Sequence, residues 1–545
     1  MRHGGKILVA ALEAHGVERV FTVPGESFLP VLDALHDSPV HTVVCRHEGG
    51  AAMMAEADGK MTGRAGVAIV TRGPGACNAS SGVHVARQDS TPMLLLVGQI
   101  ARGDRDRDVF QEVDYRAMFA PLAKWAAEVE DTARLPEYLA RAFHVAQSGR
   151  PGPVVLALPE DVLAGVADVA DRAPVPPPPA PELKAEAAAV ARKLARAERP
   201  VAIVGGSGWT AGAARGLGEV AAAWNLPVAA AFRRQDYLDN RHPCYAGDLG
   251  LAASPALLAA LSEADLVLAL GTRLGDVTTG GYTRLPEAAR LIHVHPDPGE
   301  LGKVLHTDLA IAAPAPALIA ALATQPATPG PQQRPRELRA AYETWQEPRR
   351  DPGAVQMAEI VRWLSTQLSD DAIVTNGAGN YAAWVHRYFR FKAHRSQLAP
   401  TSGSMGYGLP AAIAAKLAHP GREVVAFAGD GCFQMTGAEL ATAVQHRAGV
   451  IVLVINNGQY GTIRMHQERT YPGRVSGTAL VNPDFAALAA SCGAWSGRVE
   501  ETASFAAAFA AARMAAAEGQ PALIELITDP AAIAPGLALS DISGA

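Results

Sequence analysis

An acidic residue and a carboxamide close two neighbouring apolar runs near the end of the chain. Val424-Val425-Ala426-Phe427-Ala428 leads into Gly429-Asp430-Gly431, and Val450 to Ile455 leads into Asn456-Asn457-Gly458. Oxygen donors of these types suit a hard divalent cation such as Mg²⁺, which takes a few protein oxygens and leaves other positions to phosphate. Asp430 offers a carboxylate, Asn457 a side-chain carbonyl and Gln459 a main-chain carbonyl just beyond. The glycines let backbone N–H groups approach phosphate oxygens with no Cβ in the way. Either fragment alone reads more simply as a tight turn. Both together, one helix length apart, point to a metal-held diphosphate.

The elements that must position these residues follow from the pattern around them. Both runs are continuously apolar or β-branched, as expected for parallel strands covered on both faces. Between them, Met435 to His446 places Leu440, Ala443 and Val444 at helical spacing, with Thr436 available as an N-cap. Strand, helix, strand makes a right-handed crossover, which brings Asp430 and Asn457 to the carboxyl edge where open α/β sheets bind ligands.

The bulk properties set the frame. At 545 residues the chain exceeds one core, and about three domains of ~150–200 residues are expected. A net charge of −6 gives no electrostatic case for nucleic acid or a membrane surface as partner. Cys45, Cys77, Cys244, Cys432 and Cys492 are scattered without CxxC spacing, which suits a reducing cytoplasm and indicates neither disulfides nor zinc. Lys6 to Val17 is interrupted by Glu13 and His15, so it reads as an amphipathic helix leading into the strand Val20 to Val23 rather than as a signal peptide. No run of about 18 apolar residues is present to span a bilayer.

Proline-rich stretches at Asp171 to Pro181, including Pro176 to Pro179, and at Gln325 to Arg336 read as linkers. They divide the chain into 1–170, 184–324 and 337–545. Each part alternates short apolar strands with Ala-rich helical stretches, which predicts an α/β fold of three domains, each a mostly parallel sheet flanked by helices. In the middle part, Val201 to Val204 enters Gly205-Gly206-Ser207-Gly208, compatible with nucleotide binding or with a tight turn. A second strand there, Leu266 to Leu270, ends in Gly271-Thr272-Arg273.

Gly429-Asp430-Gly431 followed by Asn456-Asn457 resembles the thiamine-diphosphate motif of the superfamily of acetolactate synthase, pyruvate decarboxylase and benzoylformate decarboxylase. The resemblance spans essentially the whole chain. It implies an N-terminal pyrimidine-binding domain, a C-terminal diphosphate-binding domain and a middle domain that in some members binds FAD or ADP. The strand Thr42 to Cys45 passes through Arg46-His47 to Glu48, with a helix from Gly49. Glu48 occupies the position of the family's activating glutamate. A carboxyl group there hydrogen-bonds the aminopyrimidine N1′ and promotes the tautomer that removes the C2 proton, and partial burial would raise its pKa to suit. An acidic residue favouring a helix N-terminus is the structural alternative.

Further positions carry over from the resemblance one by one. Pro24, Pro74 and Asn78 match residues of the pyrimidine pocket. Met405, after Ser404, matches the residue that wedges the cofactor into its bent shape. Asn380 and Tyr381 fall where the family contacts the diphosphate, as do Gly431, Cys432, Tyr460 and Gly461 around the motif itself. The family holds the two cofactor ends on different subunits, which implies at least a homodimer, and a homotetramer is common.

Phe110-Gln111-Glu112 resembles the acetolactate synthase pattern, with Gln111 facing the thiazolium, and the histidine pair of pyruvate decarboxylases is absent there. Thr71 stands where benzoylformate decarboxylases carry a histidine. Two departures argue against the biosynthetic acetolactate synthase itself. Its acceptor-recognising arginine is replaced in Gly275-Asp276-Val277, and its acceptor-selecting tryptophan is replaced by His466. Arg72 replaces a serine, and reads either as a contact for an anionic substrate or as a partner for a surface acid. Glu26 occupies an acidic slot of pyruvate decarboxylases, where a carboxyl could return a proton after CO₂ loss, or it serves the next helix as an N-terminal acid. The chain is therefore expected to be a thiamine-diphosphate- and Mg²⁺-dependent, acetolactate synthase-like carboligase acting on a 2-oxo acid, with a 2-oxo acid or an aldehyde or ketone as the small-molecule substrate. The alternatives are a non-oxidative 2-oxo acid decarboxylase or 2-hydroxy ketone lyase, and, in another class, a non-catalytic cofactor-binding protein or a flavin-linked oxidase.

Overall fold

A computed structural model describes every residue except Pro177, Ala252, Gly544 and Ala545, so one proline of the first expected linker lies outside the described residues. Three parallel sheets of six strands each, flanked by helices, form the architecture. The first contains β1 (Arg19–Thr22), β2 (His41–Val44), β3 (Gly66–Val70), β4 (Met93–Gln99), β5 (Trp125–Glu128) and β6 (Pro153–Pro159), in the order β2-β1-β3-β4-β6-β5. The second contains β7 (Pro200–Val204), β8 (Val228–Ala230), β9 (Tyr245–Asp248), β10 (Leu266–Leu270), β11 (Arg290–His295) and β12 (Leu309–Ala312), in the order β9-β8-β7-β10-β11-β12. The third contains β13 (Ile373–Asn376), β14 (Gln397–Leu398), β15 (Val424–Gly429), β16 (Ile451–Asn456), β17 (Trp495–Val499) and β18 (Ala522–Ile527), in the order β14-β13-β15-β16-β18-β17.

The first and third sheets therefore share one order, and in both the chain reverses direction between the first and third strands. Ligand-binding crevices open at such switch points, outside the carboxyl ends of the strands. In the first sheet that edge carries Pro24 to Ser27 and Thr71 to Pro74; in the third it carries Gly377 to Tyr381 and Gly429 to Gly431. β15 and β16 pair in parallel from Val425–Ile451 to Gly429–Ile455, so Asp430 and Asn457 do leave the sheet at the same end.

Seven helices matter for the site: α1 (Gly4–Ala14), α2 (Glu48–Thr62), α3 (Pro74–Asp89), α4 (Tyr381–Tyr388), α5 (Gly408–Ala418), α6 (Asp430–Gln434) and α7 (Glu439–Gln445). The expected helix from Met435 to His446 is realised as the shorter Glu439–Gln445, and an additional short helix begins on Asp430 itself. Thr436 is not an N-cap: its hydroxyl donates to the carbonyl of Gly406 at 2.6 Å, a tertiary bond that outcompetes the local one. The second expected linker is also partly helical, since a helix Gln333–Trp345 begins inside it. Pro335 is tolerated there because first-turn N–H groups have no intrahelical partner to lose.

The first and third sheets share a continuous apolar core through α2 and α5, where Ala51, Ala52 and Ala55 on one helix and Ala411, Ala412 and Ala415 on the other are fully buried. The middle sheet has its own cores on its two faces. A buried ion cluster joins all three: Asp89 accepts from Lys60 and from the Thr401 backbone N–H, and Arg234 of the middle sheet lies 3.8 Å away. All five cysteines are free, and among the described residues no helix is long and apolar enough to cross a membrane.

Candidate active site

At the carboxyl edge of the third sheet a cavity of about 250 Å³ brings together Asn380, Tyr381, Met405, Asp430, Gly431, Cys432, Asn457, Gln459, Tyr460 and Gly461. Asp430 opens α6 and is 3 % exposed. Its carboxylate accepts from the Gly431 N–H at 2.9 Å and from Asn482 Nδ2 at 2.7 Å. Burial pushes its pKa above the usual carboxylate value, and these neutral donors only partly oppose that. Its donors are amides rather than a cation, so a divalent ion would remove the cost of burying it. Asn457 Oδ1 accepts from the Gln459 N–H at 3.2 Å, while the Gln459 carbonyl accepts from Gly461 and keeps a second lone pair. Among the described residues no group of three His, Cys, Asp or Glu side chains could hold a metal, so the donor set is one carboxylate plus amide oxygens. That set fits Mg²⁺ bridged to phosphate.

The walls of the cavity explain its glycines differently from the sequence alone. A Cβ on Gly431 would lie 2.5 Å from the Tyr460 ring, and one on Gly429 would lie 3.0 Å from the Tyr381 ring. The Gly431 N–H is already engaged by Asp430. These glycines therefore admit two aromatic walls as well as a ligand. The Tyr381 hydroxyl accepts from the Gly377 N–H at 3.0 Å and stands 3.3 Å from Cys432 Sγ, and burial holds its pKa well above the ordinary phenol value. Thr462 locks Asn380 by donating to its Oδ1 at 2.9 Å and accepting its backbone N–H at 3.0 Å. Ser404 is half-buried, its hydroxyl donating to the Met405 carbonyl, and it does not line the cavity. His466 is exposed on the helix Gly461–Thr470 and does not line it either.

A second cluster stands at the carboxyl edge of the first sheet. Glu48 begins α2 after the N-cap His47, whose Nδ1 accepts from the Gly49 N–H. Its Oε2 accepts from Asn78 Nδ2 at 2.9 Å, and a Cβ on Gly75 would come 3.3 Å from its Oε1. Gln111 has a left-handed φ of 65° and packs against Gly73, where a Cβ would lie 2.7 Å from its own. The Gly73 N–H donates to the Tyr115 hydroxyl at 2.6 Å, fixing the turn before Pro74. Pro24, Pro74 and Asn78 are exposed and Phe110 is 70 % exposed, so this cluster forms an open face. No residue of it lines the cavity of the third sheet.

Arg72 is nearly buried and pairs with acids, Glu160 at 2.9 Å and Glu26 at 3.3 Å. Of the two roles open to it in the sequence, the structure supplies the acid partners. Glu26 remains 69 % exposed at the start of a short 3₁₀ turn.

The glycine turn of the middle sheet is accounted for by packing. A Cβ on Gly206 would lie 1.9 Å from the Gly271 carbonyl oxygen, and the Gly206 carbonyl accepts from Tyr237 at 2.6 Å and Arg234 at 3.3 Å. The Gly205 carbonyl accepts from Trp209 Nε1 at 3.0 Å. Cavities of about 300 and 100 Å³ border Gly206.

Sequence reasoning missed Asn482, which donates to both Asp430 and Asn456, and Glu525, which accepts from Asn456 Nδ2 at 2.8 Å. Asn456 is thus a structural partner, and Asn457 is the one that lines the cavity. Asn482-Pro483 marks a turn, the only local signal available for it.

A parallel sheet whose switch point presents a buried carboxylate and amide oxygens to a cleft has the donor set that a metal-bridged diphosphate takes. Sequence similarity to known proteins gives the family. The chain matches the N-terminal TPP binding domain of thiamine pyrophosphate enzymes over residues 2–118, their central domain over 187–322 and their C-terminal TPP binding domain over 377–526. It is 35 % identical over 511 residues to an acetolactate synthase of Mycobacterium bovis, covering 90 % of this chain and 82 % of that one. It is 33 % identical over 494 residues to the acetolactate synthase isozyme 2 large subunit of Escherichia coli, covering 90 % of each. It is 31 % identical over 553 residues to a probable acetolactate synthase large subunit of Methanocaldococcus jannaschii, covering 98 % of this chain and 93 % of that one. The chain belongs to the thiamine pyrophosphate enzymes and is acetolactate synthase-like.

Proposed function

We propose that the protein is a thiamine-diphosphate- and Mg²⁺-dependent carboligase that uses a 2-oxo acid as donor. The observation that carries this is the buried Asp430 carboxylate, bonded only by amides and set with Asn457 in one cavity, in a chain that also presents Glu48 bonded to Asn78. When bound, thiamine diphosphate supplies the electron sink for chemistry next to a carbonyl. Asp430, Asn457 and the Gln459 carbonyl would hold Mg²⁺ and through it the diphosphate. Met405, Tyr381 and Tyr460 would fix the orientation and exclude water. Glu48 would hold a proton at the aminopyrimidine N1′, and Gln111 would face the reacting side.

The open face around Glu48 supports a homodimer in which each cavity is completed by a second copy, with a homotetramer as the larger assembly. Residues 1–170, 184–324 and 337–545 would be its domains, and the free cysteines suit a cytoplasmic enzyme. Because packing accounts for the glycine turn of the middle sheet, no step is assigned to a flavin or ADP there. Val277 and His466 stand where acetolactate synthases recognise the second 2-oxo acid, which favours an aldehyde or ketone acceptor over a second 2-oxo acid. The same replacements support a second reading, simple decarboxylation to an aldehyde.

The test is a panel of 2-oxo acids offered with and without aldehydes, the products being identified by mass spectrometry. Acyloin formation supports carboligation, and aldehyde alone supports the second reading. A C2 proton of bound thiamine diphosphate that exchanges with deuterium no faster than in the free cofactor would reduce the protein to a binder.

A further inference from the structure

Glu439 begins α7, a short turn after the end of α6, whose first residue is Asp430, yet its carboxylate serves the other cluster. It is fully buried. Its Oε1 accepts from the His47 N–H at 2.9 Å and the Arg46 N–H at 3.2 Å, and its Oε2 accepts from the Arg46 N–H at 3.2 Å and the Thr442 hydroxyl at 2.6 Å. The same helix edge takes hold of the strand just before. His446 Nε2 accepts from the Val44 N–H at 3.0 Å, and Gln445 Oε1 accepts from the Arg46 guanidinium at 2.7 Å. The third sheet thus supplies the acceptors for Val44, Arg46 and His47, the residues that lead directly to Glu48. Gly50 completes the fit, since a Cβ there would lie 2.3 Å from Glu439 Oε1.

A buried carboxylate is a costly way to satisfy two backbone N–H groups. Burial pushes the Glu439 pKa up, and its hydrogen bonds pull against that. What it provides is two acceptor oxygens that hold the N–H groups of two consecutive residues, fixing the backbone on either side of one peptide. Such precision has a use here, because the next residue is Glu48 and proton-transfer groups lose effect when misplaced by fractions of an ångström. Resting on the proposed role of Glu48, we propose that Glu439 is a positioning residue: it sets the Arg46–His47 backbone so that the Glu48 carboxylate meets the aminopyrimidine of the cofactor.

The experiment compares Glu439→Ala, Glu439→Gln and Gly50→Ala with wild type and with Gln445→Ala, which loses only the Arg46 side-chain contact. In the cofactor-free protein, amide hydrogen exchange read by mass spectrometry on the peptide spanning 44–50 should rise in the first three variants. Thiamine diphosphate affinity, followed by tryptophan fluorescence in Mg²⁺, should stay within about threefold, since the diphosphate holds the cofactor elsewhere. Deuterium exchange at the cofactor C2 should slow by about ten- to a hundredfold in Glu439→Ala, the loss expected from a misplacement of about 1 Å. Glu439→Gln, which keeps one acceptor oxygen, should fall between Ala and wild type. Should Glu439→Ala not fold, Glu439→Gln and Gly50→Ala carry the same comparison. Wild-type C2 exchange in the deprotected variants would overturn the positioning role and leave the functional reading standing. Failure of wild type itself to accelerate C2 exchange would overturn that reading, and the positioning role with it.

Discussion

The first and third sheets have the same strand order and place their candidate residues at the same switch point, yet they finish their sites differently. The third sheet encloses its residues: Asp430, Asn457, Tyr381 and Tyr460 share one cavity, and Asn482, Glu525 and Thr462 hold its polar groups in place. The first sheet leaves Pro24, Pro74, Asn78 and Phe110 facing outward, with Glu48 bonded to Asn78 and outside the cavity of the third sheet. One topology can therefore enclose its strand-end residues in a cavity on one copy of the fold and leave them on an open face on another. What decides between them is whether the loops after the strands fold back over the edge.

The largest test of this contrast is Glu48→Gln. If the open face carries the proton chemistry and the closed cavity only the anchor, C2 exchange and turnover should fall by about 10²–10⁴-fold while cofactor affinity holds. An equal loss of affinity would erase the division of labour.

Asp430→Asn should do the reverse, removing Mg²⁺-dependent cofactor binding in a calorimetric titration. It also tests the buried carboxylate by stability. The Asp430 pKa is raised in the folded protein, so the folded state binds its proton more tightly than the unfolded state does. The cofactor-free protein should then gain stability as pH falls from that raised value toward the ordinary carboxylate range, and the penalty should be fully present above that raised value. Asn removes it, so the cofactor-free variant should melt higher than wild type at a pH above that raised value. A lower melting temperature would mean that the carboxylate stabilises the empty cavity.

Asn482→Ala frees Asp430 and Asn456 together and should weaken Mg²⁺ about 10- to 100-fold, with catalysis recovered at saturating metal. Glu26→Gln is the smallest change and the one that probes the open face. Product formation should slow by up to about tenfold with cofactor affinity intact, if its exposed carboxyl passes a proton rather than only pairing with Arg72. Unchanged turnover would remove Glu26 from the mechanism.

Much of this was legible in the residues. Continuous apolar runs named the strands, and Asp430, Asn457 and Glu48 each follow one, because the carboxyl edge of a parallel sheet is where a strand-ending loop must emerge. The helix expected from Met435 starts later, at Glu439, because Thr436, a plausible local cap, bonds to Gly406 instead. Helix entry inside the second proline-rich stretch was missed because Pro335 falls in a first turn, where proline costs nothing.

By itself the sequence determined the α/β class, the kinds of atom offered to a metal and the family, since these depend on residue types and short spacings. Only the tertiary structure decided that Arg72 meets Glu26 and Glu160, that Asn456 turns to Glu525 while Asn457 lines the cavity, and that Glu439 reaches across to the peptide before Glu48. Those contacts join residues up to hundreds of positions apart, and strand order and helix packing, which no local period encodes, are what bring them within hydrogen-bond reach.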